Sequence, residues 1–143
     1  MQSTPTSRGL SYGGISLPGM DIKLELVFVP VTDVDRAKAF YVDQVGFHAD
    51  FDQVVNPELR FVQLTPPVSA CSIAFGTGLG LDMAPGSQKG VQCVVADADA
   101  VRAELVAKGV DASEVDEQAW GRFVYFADPD GNSWSFQQIV RPG

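Results

Sequence analysis

His48 is the only histidine in the chain, and Asp50 follows it two positions later. Alternation along a strand would put both side chains on one face. An imidazole beside a carboxylate can transfer a proton, and it can bind a metal ion if further donors converge on the same point. No second imidazole is available, so we expect a solvated polar pair and keep His48 only as a candidate for proton transfer.

Two further candidates for proton transfer lie near the C-terminus, where Arg122 and Tyr125 follow Trp120. No pair of titratable groups there has a spacing that indicates an acid and a base acting together. Tyr125 also fits a core or an interface, and Arg122 fits an ion pair with one of the 18 acidic residues. The catalytic residues therefore stay unknown, with these two and His48 as the candidates.

The two cysteines, Cys71 and Cys93, lie in separate apolar stretches and form no CxxC motif. We expect both thiols to be reduced, buried and small apolar side chains, without a redox or nucleophilic role.

The composition excludes several kinds of partner. Ten basic and 18 acidic residues give a net charge of -8, which repels phosphate backbones and anionic lipid surfaces. No apolar run approaches the roughly 20 residues of a membrane helix, and the N-terminus lacks the pattern of an export signal. We expect a cytoplasmic protein that binds neither nucleic acid nor a membrane.

The elements that position these residues follow from the spacing of apolar side chains. Residues 22–31 predict a strand, and Asp33 precedes a helix with Ala37, Phe40 and Tyr41 on one face that ends at Gly46. Shorter strands are expected around residues 47–51, 60–64 and 71–75. Residues 1–20 are rich in Ser, Thr, Gly and Pro, and we expect a flexible leader there.

The second half of the chain repeats this plan. Residues 91–95 predict a strand, and Asp97 precedes a helix that carries Val101, Leu105 and Val106 and ends at Gly109. Strands are then expected near residues 110–115, 122–126 and 133–138. The last two are joined by residues 128–132, Asp-Pro-Asp-Gly-Asn, which suit a tight turn.

An internal repeat relates the two halves. A shift of 64 positions lays Asp33 and Asp35 onto Asp97 and Asp99, and residues 60–62, Arg-Phe-Val, recur as residues 122–124. Two copies of one supersecondary unit explain these matches. We therefore expect a single α+β domain over residues 21–140, with module one at about 21–77 and module two at about 89–140.

Two motifs give the chain a resemblance to a known superfamily. Residues 31–41 are similar to a first-helix pattern, Val-x-Asp-x-x-x-Ala-x-x-Phe-Tyr, and residues 126–132 are similar to Phe-x-Asp-Pro-Asp-Gly-Asn. Over about residues 21–140 the chain resembles the vicinal-oxygen-chelate superfamily of glyoxalases, bleomycin resistance proteins and ring-cleaving dioxygenases. The resemblance implies two tandem βαβββ modules that form cupped half-barrels around a cavity, commonly in a homodimer.

The resemblance also implies four positions for ligands of a divalent metal ion. They fall here on Leu26, Ala74, Gly90 and Ser135. Three of these residues have no donor, and a neutral hydroxyl is a poor single anchor for a cation. We therefore expect no metal ion and no other cofactor.

The same positions and their neighbours on each strand outline a cavity. Its expected ligand-binding residues are Leu26, Phe28, Arg60, Gln63, Ser72, Ala74, Gln92, Trp120, Arg122, Ser135 and Gln137. An apolar lining with a few neutral polar groups suits an uncharged or weakly acidic organic molecule. Because side chains alternate, only one of two sets, Arg122 with Val124 or Phe123 with Tyr125, can face the cavity.

These features favour a small-molecule-binding protein, similar to the bleomycin-resistance-type members that sequester drugs between subunits. One alternative is an enzyme of the same fold, such as a metal-independent lyase or isomerase. Another is a glyoxalase or dioxygenase with an unrecognised metal site. A homodimer is expected in each case, because half-barrels leave strand edges that a partner can cover.

Overall fold

The computed structural model describes residues 19–140, so most of the expected flexible leader lies outside the described residues. Within them, two four-stranded sheets are each built from one half of the chain. The first sheet has the order β1-β4-β3-β2 and contains β1 (Leu26–Phe28), β2 (His48–Asn56), β3 (Leu59–Thr65) and β4 (Ser72–Thr77). The second has the order β5-β8-β7-β6 and contains β5 (Val91–Val94), β6 (Asp116–Gln118), β7 (Gly121–Ala127) and β8 (Ser133–Ile139).

Each sheet has one parallel pair, β1 with β4 and β5 with β8, and its other pairs are antiparallel. A helix follows the first strand of each sheet, as the crossover between parallel strands requires. The predicted α+β fold of two tandem βαβββ modules is confirmed.

The two helices begin and end where the sequence predicts. Helix α1 (Val34–Ala39) continues as a π-helical turn, Phe40–Val45, and stops at Gly46 with a φ of 92°. Helix α2 (Ala98–Ala107) is followed by Gly109 with a φ of 87°. The carboxylates of Asp33 and Asp97 cap the two helices by accepting from backbone amides three residues later.

The internal repeat places the same ion pair in both modules. Arg60 on β3 donates to Asp35 on α1 at 2.8 Å, and Arg122 on β7 donates to Asp99 on α2 at 2.8 Å. Each arginine also bonds an acid on the neighbouring outer strand, Asp52 on β2 in the first case and Glu117 on β6 in the second. The aligned arginine and aspartate therefore form the same ion pair within each module.

One hydrophobic core runs through both modules, because buried side chains from both sheets and both helices belong to a single cluster. Its centre is aromatic: the ring of Tyr41 lies 5.6 Å from those of Phe47 and Trp134 and 6.1 Å from that of Phe75. Aromatic contacts at these separations stabilise a core beyond the area they bury. The helix-covered faces of both sheets therefore contribute side chains to the same core.

Two predictions about individual elements were wrong. The strand expected over residues 22–31 is limited to β1, because its parallel partner β4 starts at Ser72, opposite Leu26. Residues 110–115 are not a strand: Val110 and Ala112 are buried in the core, and only Ser113 bonds β7. Val106 lies on α2, as predicted, and is 47% exposed.

The two cysteines are half-buried rather than buried, and both are free thiols. Burial raises the pKa of the Cys93 thiol to about 11, so it is protonated at neutral pH. No helix among residues 19–140 is long and apolar enough to cross a membrane.

Candidate functional site

Each sheet has one face on the core and one face turned away from it. On the first sheet, Val62, Leu64, Ile73 and Phe75 belong to the core. Side chains that alternate with them point to the opposite side, which we call the open face.

The open face of the first sheet carries five of the predicted ligand-binding residues. The β-pairing sets Leu26 beside Ser72 and Phe28 beside Ala74, and it sets Ala74 beside Gln63. Ala74 is completely buried and Ser72 is 6% exposed. The predicted residues of module one, apart from Arg60, therefore lie together on one surface.

The open face of the second sheet carries a matching group. Ser135 pairs with Gln92 on one side and Tyr125 on the other, and Gln137 pairs with Val94 and Phe123. The rings of Phe123 and Tyr125 are stacked, with centroids 6.0 Å apart and an interplanar angle of 12°. The alternation on β7 is thereby resolved, because Val124 is in the core while Phe123 and Tyr125 lie on the open face.

Arg60 and Arg122 lie on the opposite side of their sheets from this group. Their guanidinium groups are held by acids of the helices and the outer strands, as described above. Asp99 raises the pKa of Arg122, and Arg122 lowers that of Asp99. These two predicted residues are therefore committed to structural ion pairs, and we leave them out of the candidate site.

A cleft of about 740 Å³ lies between β1–β4 and β5, beside the predicted residues. Its wall from module one includes Leu24, Cys71 and Ser72, together with residues 66–69 of the loop before β4. The wall from module two is residues 88–94, and Trp134 also contributes to the lining. The cleft is thus formed by both modules, and it includes Ser72 and Gln92 from the predicted set.

The lining of the cleft is mainly apolar and contains no Asp, Glu or His among the described residues. Its single charged side chain, Lys89, donates to the carbonyl oxygen of Gly131 at 2.8 Å. The remaining polar side chains are neutral: Ser69, Ser72, Gln88 and Gln92. A lining of this kind suits an uncharged or weakly acidic molecule, because it offers no carboxylate to a cation and its one cation, Lys89, is already bonded to a carbonyl oxygen.

Hydrogen bonds order the polar groups of the cleft. Thr65 Oγ1 donates to the carboxylate of Asp50 and contacts Ser72 Oγ at 2.6 Å. On the other wall, Gln92 Nε2 donates to Gln137 Oε1 at 2.8 Å, and Gln137 Nε2 donates to the carbonyl oxygen of Trp120. The carbonyl can only accept, so it fixes the orientation of both amide groups.

Tyr125 and Trp120 lie beyond the cleft on the second module. The Tyr125 hydroxyl donates to Asp116 at 2.7 Å, which raises the pKa of Tyr125 and lowers that of Asp116. A phenol whose proton is held by a carboxylate in this way is a poor acid at neutral pH. Trp120 is 62% exposed, so its ring is available as an apolar contact surface.

The remaining catalytic candidate, His48, lies at the start of β2 with its side chain 77% exposed. Its Nε2 is 3.8 Å from Asp50 Oδ1, which is the polar pair that the sequence predicts. It therefore has the position of a solvated surface side chain, outside the lining of the cleft.

The side chains at the four family metal positions give no donor cluster. Leu26, Ala74 and Ser135 lie on the open faces, and Gly90 immediately precedes β5. Within residues 19–140, no group of three or more His, Cys, Asp or Glu is close enough to hold a metal ion.

Sequence reasoning missed the loop that closes one side of the cleft. Pro66 and Pro67, in the loop between β3 and β4, line the cleft together with Val68. Val68 has a φ of 66°, which is rare for a β-branched residue, and its side chain is fully exposed. Two adjacent prolines before a cavity-forming strand were the available signal.

The chain belongs to the glyoxalase/bleomycin resistance protein/dioxygenase superfamily, whose family model matches residues 23–136. It is similar to the crystal structure of TnmS3, an antibiotic binding protein from Streptomyces sp. CB03234. The identity is 34%, the TM-score is 0.77, and the match covers 85% of this chain and 98% of that chain.

The chain is also similar to two other proteins. A glyoxalase/bleomycin resistance protein from Streptomyces sp. CB03234 is 35% identical, with a TM-score of 0.72 and coverage of 81% of this chain and 100% of that chain. The uncharacterized protein YetH of Bacillus subtilis is 27% identical over 110 residues, which is 74% of this chain and 89% of that protein.

Proposed function

We propose that this protein binds an uncharged or weakly acidic small organic molecule, with the cleft between the two modules as part of its binding site. The observation that carries the proposal is the cleft itself, which offers about 740 Å³ of mainly apolar space with a few ordered neutral polar groups. This volume lies within the range typical of small-molecule sites.

The similarity to TnmS3, an antibiotic binding protein, supports a binding role. The chemistry of the described residues supports it as well. The proton of Tyr125 is held by Asp116, Arg122 is held by Asp99, and His48 lies outside the cleft. None of the three candidates for proton transfer is therefore in position to act on a molecule bound in the cleft.

The proposed binding protein acts as a homodimer in the cytoplasm. Phe51 and Val94 on the open faces, and Trp120 in the turn before β7, are apolar side chains that one chain leaves in solvent: they are 57%, 65% and 62% exposed. Exposed apolar groups on facing surfaces favour an interface that buries them. Light scattering at tens of micromolar should give the mass of two chains, and the mass of one chain would refute the dimer.

The binding proposal is tested by thermal shift against a panel of antibiotics and metabolites, followed by equilibrium dialysis of each compound that raises the melting temperature. Val94 lines the cleft, so Val94→Trp should fill it and abolish saturable binding. Val106→Trp is the matched control, because Val106 is also exposed but lies on α2 outside the cleft. Equal binding by both variants, or no saturable binder in the panel, would contradict the proposal.

A further inference from the structure

Ser72 lines the cleft and is the most buried of its serine, glutamine and lysine residues, with 6% of the residue exposed. Its hydrogen-bond partner is Thr65 Oγ1 at 2.6 Å, and Thr65 in turn bonds Asp50. These three residues lie on β4, β3 and β2, so the chain of hydrogen bonds crosses the sheet from its outer edge to the cleft.

The carboxylate of Asp50 fixes the direction of every proton in this chain. A carboxylate only accepts, so the bond between Thr65 and Asp50 uses the single proton of the threonine hydroxyl. Thr65 Oγ1 has no proton left for Ser72, and the contact between the two hydroxyls must therefore use the proton of Ser72. The proton of Ser72 consequently points away from the cleft.

We infer that Ser72 acts in the cleft only as a hydrogen-bond acceptor, and that it selects ligands with a hydroxyl or phenolic O–H over ligands whose corresponding oxygen is alkylated. This inference rests on the proposed function, since it concerns the ligand of the same cleft. A serine normally both donates and accepts, so the selectivity arises from Thr65 and Asp50, which act as positioning residues.

Among the other polar side chains described in the cleft, none is restricted to accepting, and Lys89 can only donate. Gln92 uses one N–H for Gln137 and keeps a second N–H and its carbonyl oxygen, so it can bond either kind of ligand. Ser69 donates to the carbonyl of Cys71 and accepts from the amide of Cys71, so its hydroxyl is already paired in both directions. We therefore assign to Ser72 the discrimination between ligands with an O–H group and ligands whose oxygen is alkylated.

An acceptor at Ser72 also agrees with the charge at the other end of this chain of hydrogen bonds. Asp50, at the far end of the hydrogen bonds, is an acid. Polarisation along the chain of hydrogen bonds makes Ser72 Oγ, the oxygen at the cleft end, a better acceptor. A carboxylate or phosphate of a ligand would instead place its lone pairs against those of Ser72. The site therefore favours a neutral O–H donor over an anionic group at this point.

The test compares 2-naphthol with its methyl ether, 2-methoxynaphthalene, by equilibrium dialysis against the full-length protein. The extra methyl group changes hydrophobic binding in every variant, so the measured quantity is the ratio of the two dissociation constants and its change on mutation. Ser72→Ala should shift this ratio by about fivefold toward the ether, the effect of one neutral hydrogen bond. Ser69→Ala, on the same wall of the cleft, should leave the ratio unchanged.

Thr65→Val separates the effect of the hydrogen bonds to Thr65 and Asp50 from the effect of the Ser72 hydroxyl itself. It keeps the shape of the side chain but frees the proton of Ser72, which can then donate to the ether oxygen. The ratio should therefore move toward the ether, although Ser72 is still present. This variant also provides the test if Ser72→Ala does not fold, as judged from the melting temperature.

The possible outcomes separate this inference from the proposed function. Saturable binding with the same ratio in the parent, Ser72→Ala and Thr65→Val proteins would overturn the selectivity of Ser72 and leave the binding function standing. Absence of saturable binding of both naphthalenes to the parent protein, together with no binder in the antibiotic and metabolite panel, would overturn both.

Discussion

The hydroxyl of Tyr41, at the end of the first helix, donates to the carboxylate of Asp128 in the turn before β8 at 2.7 Å. The same hydroxyl accepts from Trp134 Nε1 at 2.9 Å, and Asp128 also accepts from the side chain of Asn132. Tyr41 is completely buried and Asp128 is 5% exposed. The Asp-Pro-Asp-Gly-Asn turn is therefore more than a local turn, because it joins module two to the helix of module one.

Tyr41→Phe should destabilise the protein by about 1–3 kcal/mol, because it leaves the indole N–H of Trp134 without its buried acceptor. The measurement is the free energy of unfolding in urea. Tyr125→Phe is the matched control, since it removes a hydroxyl that bonds an aspartate on an exposed surface. Its effect should stay within about 0.5 kcal/mol, and equal losses in the two variants would contradict a special role for the buried pair.

The Tyr41 network also shows what the sequence could predict. The first-helix motif and the turn motif were both recognised, and the helix ends, the caps and the two-module fold followed from them. The bond between the motifs was not predicted, because Tyr41 and Asp128 are 87 positions apart. In the repeat, Tyr41 aligns with Leu105, so the hydroxyl has no counterpart in module two that would have indicated a pair.

The candidate site was predictable only in part for a similar reason. Strand alternation indicates which side chains share a face, and the pairing puts Ser72 and Gln92 on the open faces of their own sheets. It did not assign Arg60 and Arg122 to the helix side, although the repeat that aligns Asp35 with Asp99 was the available signal. The cleft itself depends on how two sheets pack, which no local pattern encodes.

A second prediction concerns acid stability. Hydrogen bonds from Arg60 and then Lys38 hold the pKa of Asp52 well below its usual range. A carboxyl whose pKa is depressed on folding stabilises the folded state above its unfolded pKa of about 4, and this contribution is lost as the pH falls toward the folded value. Asp52→Asn should therefore be less stable than the parent at pH 7, by no more than about 1 kcal/mol for a pair near the surface.

The difference between Asp52→Asn and the parent should shrink as the pH falls from about 5 to 2. Unfolding in urea over that range measures it. Asp43→Asn removes an exposed carboxylate from the π-helical turn Phe40–Val45 and serves as the control. A difference between Asp52→Asn and the parent that does not depend on pH would show that the ion pair does not contribute as described.

A third prediction concerns metal removal. The family positions for metal ligands carry Leu26, Ala74, Gly90 and Ser135, which cannot together hold a divalent ion. Dialysis against a chelator should therefore leave the melting temperature unchanged, and elemental analysis of the purified protein should find no stoichiometric metal. A large fall in melting temperature on chelation, reversed by adding zinc or another divalent ion, would contradict this prediction.

A fourth prediction uses two glycines that differ in what lies beside them. A Cβ at Gly76 on β4 would be 1.9 Å from the carbonyl oxygen of Arg60, so the backbone of β3 would have to move. A Cβ at Gly121 on β7 would be 2.7 Å from Nε2 of Gln137, which is the end of a flexible side chain. Gly76→Ala should therefore cost about 1–3 kcal/mol of stability, and Gly121→Ala distinctly less.

Gly121→Ala should also affect ligand binding. Gly121→Ala displaces the Gln137 amide, which orients Gln92 in the cleft, so it should weaken binding of any compound that bonds Gln92 while the protein stays folded. Urea unfolding gives the loss of stability in each variant, and equilibrium dialysis of a compound found by thermal shift gives the change in its binding. If Gly121→Ala proves as destabilising as Gly76→Ala, the Gln137 side chain does not yield to the added methyl group and this prediction is wrong.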